Sequence, residues 1–166
     1  MRIAAGHGAF FGIDGAPRIH RDTGWSWRTL ERYWELTGDA RADELLKRMI
    51  AGFEPLIGQT DLWFKSSGYQ REWFTQVLSR AAAMTALHTR DPKALEICRA
   101  LASDKADKAD YFCTLFAVLY HLTGEESYKQ ALLKKTGGAG ESLLAVSASG
   151  DFPATAHWLI NQPPVK

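Results

Sequence analysis

Leu36-Thr37-Gly38-Asp39-Ala40 sits between two stretches whose apolar residues are spaced for helices, and the device returns at His88-Thr89-Arg90-Asp91-Pro92 and at Leu122-Thr123-Gly124-Glu125-Glu126. Each copy reads as one helix ending and another starting. Gly38 and Gly124 can take the left-handed backbone that closes a helix without a Cβ clash, and Asp39 and Asp91 can accept the free N–H groups of the next helix. Pro92 has the φ suited to a first helical position. Arg90 stands where the other copies have glycine, and a left-handed backbone there costs about 1 kcal/mol. The repeated unit is a helical hairpin with a tight turn.

The flanking residues carry the 3.6-residue period that such hairpins need. Trp27, Leu30 and Trp34 form one stripe of a first helix over residues 23–37, and Leu45, Leu46, Met49, Ile50 and Phe53 form a stripe on a second. Trp73, Val77, Ala81 and Met84 mark a third helix, and Leu95, Cys98, Leu101 and Ala102 a fourth. Phe112, Leu115, Phe116, Leu119 and Leu122 mark a fifth, and Tyr128, Leu132 and Leu133 a sixth that ends at the GGAG break of residues 137–140. Two short helices close the sequence, over Glu141–Ser147 and Pro153–Asn161. No alternating β-branched run competes, so the expectation is an all-α fold of antiparallel helical hairpins, one domain over residues 1–166 with about three and a half hairpins.

Composition fits that reading. The 166 residues are 46% apolar and 23% charged, which suits one globular domain with its own core. With 20 Lys+Arg against 19 Asp+Glu the chain lacks the cationic surplus on which general nucleic-acid binding depends. No run reaches the ~18 apolar residues of a membrane span, and the start of the sequence does not read as a signal peptide. A soluble chain is expected, with its compartment left open. Cys98 and Cys113 fall in apolar helical context and read as small core residues.

Two segments break the hairpin rhythm: residues 1–22, and residues 54–68 with Trp63 and Phe64. Long irregular connections commonly carry function. In a stack of antiparallel hairpins the tight turns share one end and the long connections the other, so both segments are expected to gather at one working surface.

The order of His20-Arg21-Asp22-Thr23-Gly24-Trp25, an aromatic pair at Tyr33-Trp34 and Leu36-Thr37-Gly38-Asp39 resembles the hairpins of (α/α) toroid carbohydrate-active enzymes, the six-hairpin glycosidases and helical-toroid polysaccharide lyases. It is most similar to the C-terminal α/α toroid of exo-rhamnogalacturonan-lyase-like proteins, over roughly residues 5–135. The resemblance implies part of an (α/α) toroid whose open end binds an oligosaccharide. Three or four hairpins are fewer than a closed toroid holds. It therefore points to a truncated toroid, with a missing N-terminal domain or a homo-oligomer as its complement.

Candidate chemistry follows from the residues at the loop-rich end. A uronate lyase needs a cation for the sugar carboxylate, a base for the α-proton and an acid for the leaving oxygen; His20, Arg21, Asp22, Tyr69 and Arg71 have those chemistries. A glycosidase instead needs two carboxyl groups ~5 Å or ~6.5–9.5 Å apart, for which Asp14, Asp22 and Glu72 are available. Competing structural roles are plain: Asp22 or Thr23 can cap the first helix, and Glu72 can sit in a capping box. Sugar faces stack on exposed aromatic rings, and Trp25 and Trp63, off the apolar stripes, are the platforms; Trp27, Trp34, Trp73 and Phe112 read as core. His88, His121 and His157 have no metal-ligand spacing, and His88 and His121 near helix C-termini are accounted for by the favourable placement of a cation there. No cofactor or metal is expected. The partner is an oligosaccharide, with no nucleic acid and no membrane. The alternatives are a non-catalytic toroid fragment whose exposed edge pairs with a missing domain, and a tetratricopeptide-like interaction module: Thr89 and Thr123 are 34 residues apart, that repeat's length, although Thr37 and Thr89 are 52 apart.

Overall fold

The computed structural model describes residues 10–11, 17–18, 23–53, 71–103, 112–135 and 153–165. Seven helices occupy these residues: α1 (Thr23–Thr37), α2 (Ala40–Phe53), α3 (Arg71–Thr89), α4 (Pro92–Ser103), α5 (Cys113–Thr123), α6 (Glu126–Lys135) and α7 (Pro153–Ile160). The only extended pairing among them is a two-residue antiparallel ribbon of β1 (Phe10–Phe11) and β2 (Pro17–Arg18). The fold is helical, as the periodicity requires. The segment 54–68 and the short helix expected over Glu141–Ser147 lie outside the described residues.

The three quoted turns are built alike, and threonine is the part that composition does not advertise. Its hydroxyl donates to the carbonyl four residues back, Thr37 to Tyr33 at 2.7 Å, Thr89 to Thr85 at 2.7 Å and Thr123 to Leu119 at 2.8 Å. The same oxygen accepts the N–H two residues on, from Asp39, Asp91 and Glu125 at 3.2, 3.2 and 3.1 Å. Between them Gly38, Arg90 and Gly124 are left-handed, with φ of 64°, 57° and 72°. Their N–H groups close the helix on Trp34, Ala86 and Tyr120. Asp39 and Asp91 then cap the next helix by accepting the Arg41 and Lys93 N–H groups at 2.9 and 2.8 Å. Hydrogen bonds from Arg41 and Tyr33 hold the Asp39 carboxyl well below the usual carboxylate range. Arg90 is thus the one strained copy. Arg90→Gly should raise stability by about 1 kcal/mol, seen as a higher urea midpoint at unchanged slope; a lower midpoint would show that the arginine side chain contributes more to the fold than its backbone costs.

The hairpins stack in two rows. α1 packs on α3, α3 on α5 and α5 on α7, while α2, α4 and α6 lie behind as the second helix of each hairpin, with α2 touching α4. Trp27 meets Thr85 and Glu31 meets His88, so α1 and α3 advance together and run parallel. The sequence reading of one apolar stripe per helix describes α2, which buries Ala42, Leu46, Met49, Ile50 and Phe53. It is too narrow for the middle of the inner row. Every residue of 78–86 in α3 and of 113–121 in α5 is buried, because those helices have neighbours on several sides. Ala81, Ala82, Ala83 and Ala86 keep α3 slim enough for that packing. α7 is the last helix of the first row, and among the described residues no helix of the second row is paired with it.

The core centres on Trp27, fully buried, stacked on Phe53 with ring centroids 5.0 Å apart, its Nε1–H donating to Thr85 Oγ1 at 2.9 Å. Cys98 and Cys113 are free and buried, and burial pushes the Cys98 thiol far above its usual range. Among the described residues no helix is long and apolar enough to cross a membrane.

Candidate functional site: a buried carboxylate and histidine beside a polar groove

Asp14, His20, Arg21, Asp22, Trp63 and Tyr69 lie outside the described residues, as do the side chains of Trp25, Arg71 and Glu72. The backbone of these last three is placed: Trp25 in the first turn of α1, Arg71 and Glu72 opening α3. In the register set by Trp27 and Thr85, Trp25 lies level with Ala83. At 1.5 Å per residue, Arg71 lies ~18 Å before the level of Trp25, past the N-terminal end of α1.

A different cluster takes shape at the tight-turn end. Glu31 follows Trp27 by four residues and precedes Trp34 by three, so a carboxylate occupies the stripe that faces α3. It is completely buried. Arg28 takes its Oε2, and His88 from the last turn of α3 bonds its Oε1 at 2.7 Å. Glu35, one turn on, holds Arg32 and places Oε1 3.8 Å from His88 Nε2. The Trp34 ring lies 6.3 Å from the imidazole, tilted by 45°.

Burial lowers the His88 pKa; Glu35 opposes that shift, and Arg28, Arg32 and Arg90 add to it. The ring is therefore neutral near pH 7, with Nδ1–H donating to the Glu31 carboxylate and Nε2 left as an acceptor. His121 is pushed the same way by burial and by Arg90, and its buried Nδ1 has no hydrogen-bond partner among the described residues. Both histidines do stand near helix C-termini, but the explanation by a favoured cation is corrected: their surroundings favour the uncharged form. Because the unfolded chain titrates near 6.5 and the folded one lower, the unfolded state binds the extra proton. The stability held by these groups is complete above about pH 6.5 and drains as pH falls toward the folded values. A urea midpoint that drops between about pH 7 and about pH 5.5, with part of the drop removed in His121→Asn, is the expected result.

Glu31, Glu35 and His88 bring donor atoms within 4.8 Å of one another, a convergence across two helices that no spacing in the sequence announces. Its chemistry is that of an ion-pair network and not of a cation site. Arg28 and Arg32 already neutralise the two carboxylates, and Arg90 adds a third positive charge beside the imidazole.

Next to this network opens a groove of about 420 Å³, walled by Trp34 of α1, Asp43 and Lys47 of α2, His88 of α3 and Arg90 and Asp91 of the turn into α4. Asp43 is bonded to Lys47 at 2.7 Å, and Asp91 is committed to its capping bond. Among the described residues Arg90 makes no ion pair.

A scan of family models and searches of curated proteins and of solved structures found no match. What the site can do is therefore argued from its own geometry. The sequence reading passed over Glu31 and took His88 only as a cation near a helix C-terminus. The usable signal was a carboxylate at the i+4 position of an otherwise aromatic stripe, since a charge is rarely buried without a partner.

Proposed function

We propose that the chain is a carbohydrate-processing or carbohydrate-binding domain, part of an (α/α) toroid, that takes uronate-containing oligosaccharide by lyase-type elimination or by glycoside hydrolysis. The observation that carries the reading is the inner row of α1, α3, α5 and α7 backed by α2, α4 and α6, in which successive hairpins offer the same member to one side. A two-row stack of helical hairpins supports the reading because an (α/α) toroid is assembled from such units. In the elimination chemistry Arg21 neutralises the uronate carboxylate, His20 removes the α-proton and Tyr69 protonates the leaving oxygen, with Asp22 beside them and Trp25 and Trp63 as stacking faces, while Arg71, ~18 Å along the axis from Trp25, serves a different unit of the oligosaccharide. In the hydrolytic chemistry two of Asp14, Asp22 and Glu72 act as acid and base.

Incubation of the purified chain with a panel of uronate oligosaccharides separates these outcomes. Rising ultraviolet absorbance from an unsaturated product supports elimination, and new reducing ends without it support hydrolysis. Neither signal, together with no binding, removes the carbohydrate reading. The second reading, a helical-repeat interaction module, draws on the hydrogen-bond identity of the three turns and the 34-residue spacing of Thr89 and Thr123. It gains if the chain captures peptide and ignores sugars.

A further inference from the structure

Arg90 is the residue whose presence the fold does not explain. Its two sister positions are Gly38 and Gly124, with the same left-handed backbone and the same closing hydrogen bond, so glycine would serve this turn without strain. The arginine nevertheless sits at the rim of the groove, and among the described residues its guanidinium has no ion pair. The groups whose charge it shifts are two neutral imidazoles, His88 and His121. The other charges on the groove are spoken for: Lys47 by Asp43, Asp91 by the Lys93 N–H.

We propose that this groove is a binding site for a carboxylated sugar, a hexuronate, with Arg90 taking the carboxylate, Trp34 facing the apolar side of the ring and His88 accepting a hydroxyl proton. Each part follows from chemistry already described. A guanidinium matches a carboxylate through two parallel N–H donors, and one at a concave rim that makes no ion pair among the described residues is placed to do so. His88 has Nδ1 held by the buried Glu31, so its remaining ring nitrogen is a fixed, uncharged acceptor suited to a hydroxyl. Trp34 is half-buried on the same wall and braced against the imidazole. The volume of about 420 Å³ falls in the range of small-molecule sites, roughly 300–1,000 Å³. The site lies at the tight-turn end of the hairpins; the choice of a sugar as its ligand rests on the carbohydrate reading proposed above, though not on the chain being an enzyme.

The test is titration of the full chain with sodium glucuronate, with glucose as the uncharged counterpart, by calorimetry or ligand-observed NMR. Arg90→Gly is the informative variant because it removes the guanidinium while relieving the backbone. The expected result is that glucuronate binds the natural chain, that glucose binds at least about tenfold more weakly, and that Arg90→Gly loses at least about tenfold in glucuronate affinity while resisting urea better. Arg90→Lys, which keeps the charge without the fork, should fall between. The proposal is overturned if glucuronate does not bind, if glucose binds equally well, or if Arg90→Gly binds glucuronate as the natural chain does. Cleavage of oligosaccharide that persists in Arg90→Gly with no loss of glucuronate binding would sink this site and leave the proposed activity standing. Arg90-dependent binding by a chain that cleaves nothing would do the reverse.

Discussion

Replacing Glu31 with alanine should lower stability by about 3–5 kcal/mol, read as a large fall in urea midpoint. The carboxylate is fully buried and hydrogen-bonded on both oxygens, its charge balanced by Arg28 on one and the other accepting the Nδ1–H of His88. Removing it leaves a guanidinium in a poorly solvated place and an imidazole N–H without its acceptor. That is the costly direction, since breaking a buried pair takes from the remaining charge the partner that offsets most of its burial, whereas replacing the whole pair with apolar groups of similar volume is often neutral. Glu31→Leu combined with Arg28→Met should accordingly recover much of the loss. Glu31→Gln should fall in between, because the amide oxygen still accepts from His88 while its NH₂ group opposes Arg28. A Glu31→Ala chain as stable as the natural one would mean that water reaches the pair. With a typical total of about 5–15 kcal/mol, a loss of this size leaves α1 barely held on α3.

How far the sequence could see is decided by whether an interaction is local. The Thr-x-acid turns are local, and Gly38, Gly124, Asp39 and Asp91 announce them; even the strain at Arg90 could be anticipated from its place in the pattern. The bounds of α1 were equally readable, since capping residues at Asp22-Thr23 precede the stripe of Trp27 and Trp34 and the Thr37-Gly38-Asp39 turn follows it. The burial of α3 and α5 on all sides was not, because a stripe records one neighbour and the centre of a row has several. Glu31 and His88 are 57 residues apart, and nothing between them fixes that they meet. Only the parallel register of α1 and α3, itself a product of long connections, brings them together. The groove has the same origin: Trp34, Lys47 and Arg90 come from three elements and are ordinary residues in each.

Trp27→Ala should cost about 3–5 kcal/mol and bring the chain close to unfolding at room temperature. The indole fills the junction of α1, α2 and α3, with Phe53 stacked on its face and Thr85 taking its N–H, so truncation opens a cavity that three helices border. Separating the packing from the hydrogen bond needs smaller changes. Trp27→Phe removes the donor and part of the volume. Thr85 Oγ1 then keeps its own bond to the Ala81 carbonyl at 2.8 Å and merely loses an accepted proton, so the polar part of the cost is about 1 kcal/mol. Thr85→Val strands the buried indole N–H, the dearer side of the same bond at about 1–3 kcal/mol. The double variant Trp27→Phe with Thr85→Val should be more stable than the sum of the singles by about 1 kcal/mol, the coupling that a double-mutant cycle in urea resolves. Additive losses would place the indole nitrogen against water and not against Thr85. The register from which α1 and α3 are read as parallel would then rest on Glu31 and His88 alone.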